Sequence, residues 1–143
     1  MDSPIVWSFL SINTSKFCII ESVYNNDITE KLTLGAIKEL KKSGVNNVDT
    51  KKVPGAFEIP GIIARLAKKY DGFVAIGCVI KGETANFDLI CNAITNGIMQ
   101  ISVNEKKPIG NAILTCFNKD QAFKRTDKGK EAAKAVLDVL KVK

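Results

Sequence analysis

Apolar and polar positions alternate along this chain between two periods. From Lys16 to Val23 the apolar run is nearly continuous, with Phe17, Cys18, Ile19 and Ile20 in succession, as in a strand covered on both faces. The spacing then becomes helical. Ile28, Leu32, Ala36, Ile37 and Leu40 fall on one face, Asp27-Ile-Thr-Glu30 resembles a capping box, and Gly44 is placed to end the helix as a C′ residue. Val48–Val53 reads as a second strand, turned by Pro54-Gly55. Pro60 suits the first turn of a helix running to Leu66. Phe73–Ile80 is a third strand, apolar throughout. Ile90, Ala93, Ile94, Gly97, Ile98 and Ile101 predict a long helix over roughly Asn86–Asn104. Pro108–Cys116 is a fourth strand. A short helix near Lys119–Arg125 and a final one over Lys128–Leu140, with Ala132, Ala135, Val136, Val139 and Leu140 on its buried face, complete the pattern.

Strand and helix alternating four times predict a parallel sheet between two helix layers. The expected fold is α/β: a three-layer α/β/α sandwich with a four-stranded, flavodoxin-like parallel sheet. Ligands of such folds sit beyond the strand C-termini. Two segments there stand out, Val53-Pro-Gly-Ala-Phe-Glu-Ile-Pro60 and Gly77-Cys-Val-Ile-Lys-Gly-Glu-Thr-Ala-Asn-Phe-Asp88. Each joins a strand to a helix through a turn rich in Gly or Pro. Such turns present free backbone N–H groups and the positive end of a helix dipole, which suits anionic and highly oxygenated ligands.

At 143 residues the chain suits one domain, residues 1–143, with an N-terminal extension over 1–15 and a core over 16–143. Hydrophobic residues make up 45% and charged residues 25%, an ordinary globular composition. The apolar runs are too short to span a membrane, and an acid, Asp2, stands where a secretory signal would be basic, so a cytoplasmic setting is expected. The net charge of +6 comes from scattered lysines, not from the dense stripe with interleaved aromatics that nucleic-acid binding favours. There is no histidine, which removes Ser-His and Cys-His nucleophile pairs and the usual zinc sites. Cys18, Cys78, Cys91 and Cys116 include no CxxC pair and read as buried thiols in a reducing compartment.

Asn25–Ala36, Val53–Pro60, Ile80–Thr84 with Phe87-Asp88, and Asn96-Gly97-Ile98 resemble the 6,7-dimethyl-8-ribityllumazine synthase family, in that family's order and spacing. The resemblance covers Lys16 to the C-terminus, and VPGAFEIP is its most specific part. It implies a soluble homo-oligomer, a pentamer or a shell of pentamers, with riboflavin synthase as a candidate partner and no metal or organic cofactor. The implied reaction condenses 5-amino-6-(D-ribitylamino)uracil with 3,4-dihydroxy-2-butanone 4-phosphate in riboflavin biosynthesis.

By the same resemblance, Tyr24 holds the place of an aromatic, usually Phe, that stacks on the pyrimidinedione. Ala56, Phe57 and Glu58 match the ribityl-binding turn, and Cys78, Val79 and Ile80 the strand end that recognises the ring edge. Gly82, Glu83 and Thr84 match the phosphate turn. Glu83 is expected to turn its side chain away from phosphate and offer its N–H. Arg125 matches the phosphate-binding arginine, assisted by Lys128. Three departures stand out. Asn86 replaces the family's general acid–base histidine, Asn111 replaces a phenylalanine lent by the neighbouring subunit, and the loop after Arg125 is shorter. An amide exchanges no proton near neutral pH. The departures therefore leave open a second reading, a non-catalytic lumazine- or flavin-binding or shell-forming relative.

Overall fold

The computed structural model of the protein describes residues 12–142. Four strands, β1 (Lys16–Ser22), β2 (Asn47–Val53), β3 (Gly72–Ile80) and β4 (Ile109–Cys116), form one sheet in the order β2-β1-β3-β4. Every pairing is parallel. Five helices connect and close it: α1 (Asn26–Lys42), α2 (Ile59–Leu66), α3 (Phe87–Glu105), α4 (Lys119–Phe123) and α5 (Lys128–Lys141). The expected sandwich is the fold observed. Of the expected N-terminal extension, residues 1–11 lie outside the described residues; the helical turn at 12–14 lays Ile12 into the core.

The two-residue period of the strands decides the layers. Phe17, Ile19, Val74, Ile76, Ala112 and Leu114 face one way, against Ile28, Leu32 and Ala36 of α1 and Ala133, Val136 and Leu137 of α5. Cys18, Ile20, Phe73 and Ala75 face the other way, against Ile59 and Ile63 of α2 and Ile94 and Ile98 of α3. Complete burial of an Ile, Leu or Phe side chain stabilises by about 1.5–3 kcal/mol. The central strands β1 and β3, buried on both faces, therefore anchor the fold. Strand β2 is an exposed edge carrying Lys51 and Lys52, which discourages pairing with other chains. Helix α5 packs so tightly on its neighbours that a Cβ at Gly129 would run into the Leu32 carbonyl, and one at Gly110 into the Ala132 carbonyl.

Helix ends follow local chemistry. Helix α1 stops at Gly44, whose φ of 97° is open to glycine at little cost. Val45 N donates to Leu40 O at 3.1 Å and Gly44 N to Lys41 O at 3.1 Å, a Schellman arrangement. Its start differs from the expected capping box. Asn25 is the N-cap, with a left-handed backbone (φ 62°) and no side-chain cap bond, and Asp27 instead pairs with Lys119 at 3.0 Å. The short helix α4 ends at Phe123, two residues before Arg125.

Candidate active site

Beyond Ser22 the chain leaves β1 and is tied at once to the Pro-Gly turn. Val23 N donates to Val53 O at 2.8 Å and Tyr24 N to Pro54 O at 3.1 Å. Within that turn Gly55 N donates to Glu58 Oε1 at 2.9 Å, so the carboxylate closes the start of the Ala56–Glu58 3₁₀ turn and α2 begins directly after it. Ala56 is buried and rests against Gly77, where a Cβ would come within 3.1 Å of the Ala56 Cβ. The glycine thus lets the turn lie close on β3.

The β3–α3 turn closes the far side. Asn25, held left-handed, donates through Nδ2 to Cys78 O at 3.2 Å and to Glu83 Oε1 at 3.3 Å. Tyr24 Oη donates to Glu83 Oε2 at 3.4 Å. The result is a cavity of about 150 Å³ at the C-terminal ends of β1 and β3. Tyr24, Gly55, Ala56 and Phe57 form one wall, Cys78, Val79 and Ile80 the floor, and Glu83, Thr84 and Ile90 the other wall. Tyr24 and Phe57 are 57% and 61% exposed. Two aromatic rings open to solvent at the mouth of a mainly apolar cavity suit a flat heterocycle.

A second, larger cavity of about 450 Å³ lies at the end of β4. Ile113, Leu114 and Thr115 line it from the strand, Lys124, Arg125 and Asp127 from the α4–α5 connection, and Lys128 and Glu131 from the start of α5. Arg125 Nη1 reaches Cys116 Sγ at 3.8 Å, and Lys128 stands 3.9 Å from Glu131. Three cations against two carboxylates leave this cavity suited to an anion. Lys81 stands over the Phe117 ring at 5.3 Å, so the β3–α3 turn also touches the segment that follows β4.

The site residues expected from sequence divide between these places. Tyr24, Ala56, Phe57, Cys78, Val79, Ile80, Glu83 and Thr84 line one cavity, and Glu58 adjoins it through its bond to Gly55. Gly82 sits in the turn with open space where a Cβ would be. Arg125 and Lys128 line the other cavity. Asn86 belongs to neither. It lines an open depression of about 310 Å³ with Lys81, Thr84 and Asp88, and its N–H points back to Thr84 Oγ1 at 3.4 Å. Asn111 lies exposed on β4, its Oδ1 accepting from Ile113 N at 3.0 Å. Asn25, Gly55 and Ile90 were not singled out from sequence. For Asn25, an Asn immediately before a helix in a strand-to-helix turn is the signal for a left-handed residue with an amide to aim.

Burial, then Cys116 and Glu83 nearby, push the Cys78 thiol up to about 12, so it serves as apolar floor and not as a nucleophile. The four cysteines, expected to be buried, are all so except Cys91, which is half-buried. The hydrogen bond from Lys119 holds the Asp27 carboxyl below the usual carboxylate range and raises Lys119 in turn. Among the described residues no three His, Cys, Asp or Glu side chains gather as metal ligands, and no helix is long and apolar enough to cross a membrane.

The family model for 6,7-dimethyl-8-ribityllumazine synthase matches residues 14–143. A protein of that name from Bartonella bacilliformis is 40% identical over 134 residues, covering 87% of this chain and 88% of its own length. One from Desulfovibrio desulfuricans is 38% identical over 136 residues, covering 89% and 87%. One from an Arthrobacter species is 38% identical over 129 residues, covering 85% and 80%. Since the match runs unbroken through both cavities and every turn between them, the chain belongs to the 6,7-dimethyl-8-ribityllumazine synthase family.

Proposed function

We propose that this protein is an active transferase of riboflavin biosynthesis. It condenses 5-amino-6-(D-ribitylamino)uracil with 3,4-dihydroxy-2-butanone 4-phosphate to 6,7-dimethyl-8-ribityllumazine and releases phosphate. The observation that carries this reading is the cavity at the ends of β1 and β3, where Tyr24 and Phe57 open their rings over strand-end backbone. The pyrimidinedione stacks on Tyr24 with its edge along Cys78–Ile80. The ribityl chain runs toward the Ala56–Glu58 turn, where Glu58 Oε2 remains free to accept hydroxyls while Oε1 holds Gly55 N. The phosphate of the second substrate docks on the open backbone at Gly82–Thr84.

Arg125 and Lys128 complete the phosphate site from a neighbouring subunit. Supporting this, their cavity is separate from the Tyr24 cavity within one chain, so a single chain leaves each half-furnished. Asn111, exposed on β4, joins them from the same neighbour. Leu89, Met99 and Val103 leave a large apolar surface exposed on α3, as an assembling subunit does. The assembly is a homopentamer or a shell of pentamers, and riboflavin synthase, which consumes the product, is the candidate partner. The free thiols suit a cytoplasmic setting.

An amine attacking a ketone is already reactive. Holding both reactants in register supplies much of the acceleration, while general acid–base assistance adds typically ~10²–10⁴-fold. Asn86 favours a second reading, a non-catalytic relative that binds a lumazine or flavin. A steady-state assay with both substrates separates the two. Product above the uncatalysed background is the expected result; none, with lumazine still bound, establishes the second reading.

A further inference from the structure

Resting on that reaction, we propose that Glu83 is the catalytic residue that carries its protons. The condensation moves protons at each stage and the chain has no histidine. The 5-amino nitrogen forms a bond to the ketone carbon as the carbonyl π pair moves to oxygen. Nitrogen must then lose a proton and oxygen gain one. In the dehydration that follows, nitrogen loses its second proton as the C=N bond forms, and the carbinol oxygen takes up a proton and leaves as water. One carboxylate that accepts from nitrogen and returns to oxygen serves both stages and ends unchanged.

Glu83 is the carboxylate that lines the Tyr24 cavity. The other nearby acids are placed elsewhere. Glu58 lies outside the cavity lining, one oxygen held by Gly55 N and the other assigned to the ribityl chain, and Asp88 lines the depression beyond Thr84, together with Asn86. The Cys78 thiol, pushed up to about 12 by burial, holds its proton through the neutral range. Two donors from across the cavity hold the exposed Glu83 side chain at its wall, Tyr24 Oη at 3.4 Å and Asn25 Nδ2 at 3.3 Å. Asn25 does so from a left-handed backbone, φ 62°, which non-glycine residues seldom adopt. Both contacts are long, leaving the carboxylate free to shift onto a substrate proton when the site fills. The charged and titratable groups around it are Tyr24 from the β1–α1 turn, Asp27 from the first turn of α1, Cys78 from β3, Lys81 in its own turn and Lys119 from α4.

The test is steady-state kinetics with each substrate varied in turn, kcat read apart from KM. Glu83→Gln keeps an oxygen to accept from Asn25 Nδ2, and its amide N–H donates to Tyr24 Oη in place of the bond received from it, so ring placement and KM stay near those of the wild type. Its kcat should fall about 100-fold or more. Glu83→Asp, which restores a carboxylate, should recover part of that loss. Tyr24→Phe, which removes only the hydroxyl tie, should lose far less kcat than Glu83→Gln. If the wild type makes product and Glu83→Gln matches it in kcat, the proton-transfer role falls while the proposed reaction stands. If the wild type makes no product above background, both fall.

Discussion

The two cavities at the C-terminal end of the sheet differ in kind. The one at β1 and β3 is small, mainly apolar and built from strand ends that are fixed on both sides. The one at β4 is three times larger and lined by charged side chains from the connection between α4 and α5 and from the start of α5. The proposed substrates differ in the same way, one a flat heterocycle and the other a phosphate ester. A rigid, dry floor suits stacking, where geometry matters most. A charged, wetter basin suits phosphate, where a planar guanidinium supplies most of the recognition.

The sharpest way to break this comparison is to loosen the support of one cavity. Gly129→Ala forces a Cβ into the Leu32 carbonyl, and two helix backbones cannot both yield. A loss of about 3 kcal/mol is expected, read as a lower denaturant midpoint, with the basin at β4 damaged more than the stacking cavity because α5 supplies its wall. Next, Arg125→Ala should weaken use of the butanone phosphate about 10- to 150-fold, the worth of a charge-assisted bond of ~1.5–3 kcal/mol. Binding of the ribitylaminouracil should change far less. Equal losses for both substrates would erase the division. Tyr24→Ala should show the reverse pattern and a smaller effect. Stacking worth about 0.5–1.5 kcal/mol gives about a 2- to 12-fold rise in KM for the heterocycle, with phosphate use preserved. Asn86→His tests the depression beyond Thr84, outside both cavities. With Glu83 moving protons, an imidazole beyond Thr84 should raise turnover by about threefold or less between pH 6 and 8. A hundredfold gain would put proton transfer at residue 86 instead.

Much of this architecture is legible in the sequence because it is periodic. The runs around Phe17–Ile20 and Phe73–Ile80 are apolar without interruption, and only a strand covered on both faces needs that. The segment VPGAFEIP announced its turn through residues whose local geometry is nearly fixed. Contacts between distant parts of the chain were not legible. Asp27 reads as a helix cap, but its carboxylate goes to Lys119, 92 residues later. The tie from Tyr24 to Glu83 spans 59 residues, and no periodicity records it. Nor could spacing show that Arg125 and Tyr24 line separate cavities of one chain.

The strand order has a consequence for how the chain is made. Strand β1 sits between β2 and β3 in the sheet yet precedes both in the chain. Parallel partners cannot form a hairpin, so each must wait for an intervening helix. At roughly 5–20 residues per second, the ~60 residues from the end of β1 to the end of β3 take about 3–12 s to follow. During that interval the run Phe17-Cys18-Ile19-Ile20 lacks at least one neighbour. That run is therefore the apolar surface most exposed to wrong contacts while the chain is being made. Mixing fragments cut after β1 should reconstitute the fold poorly.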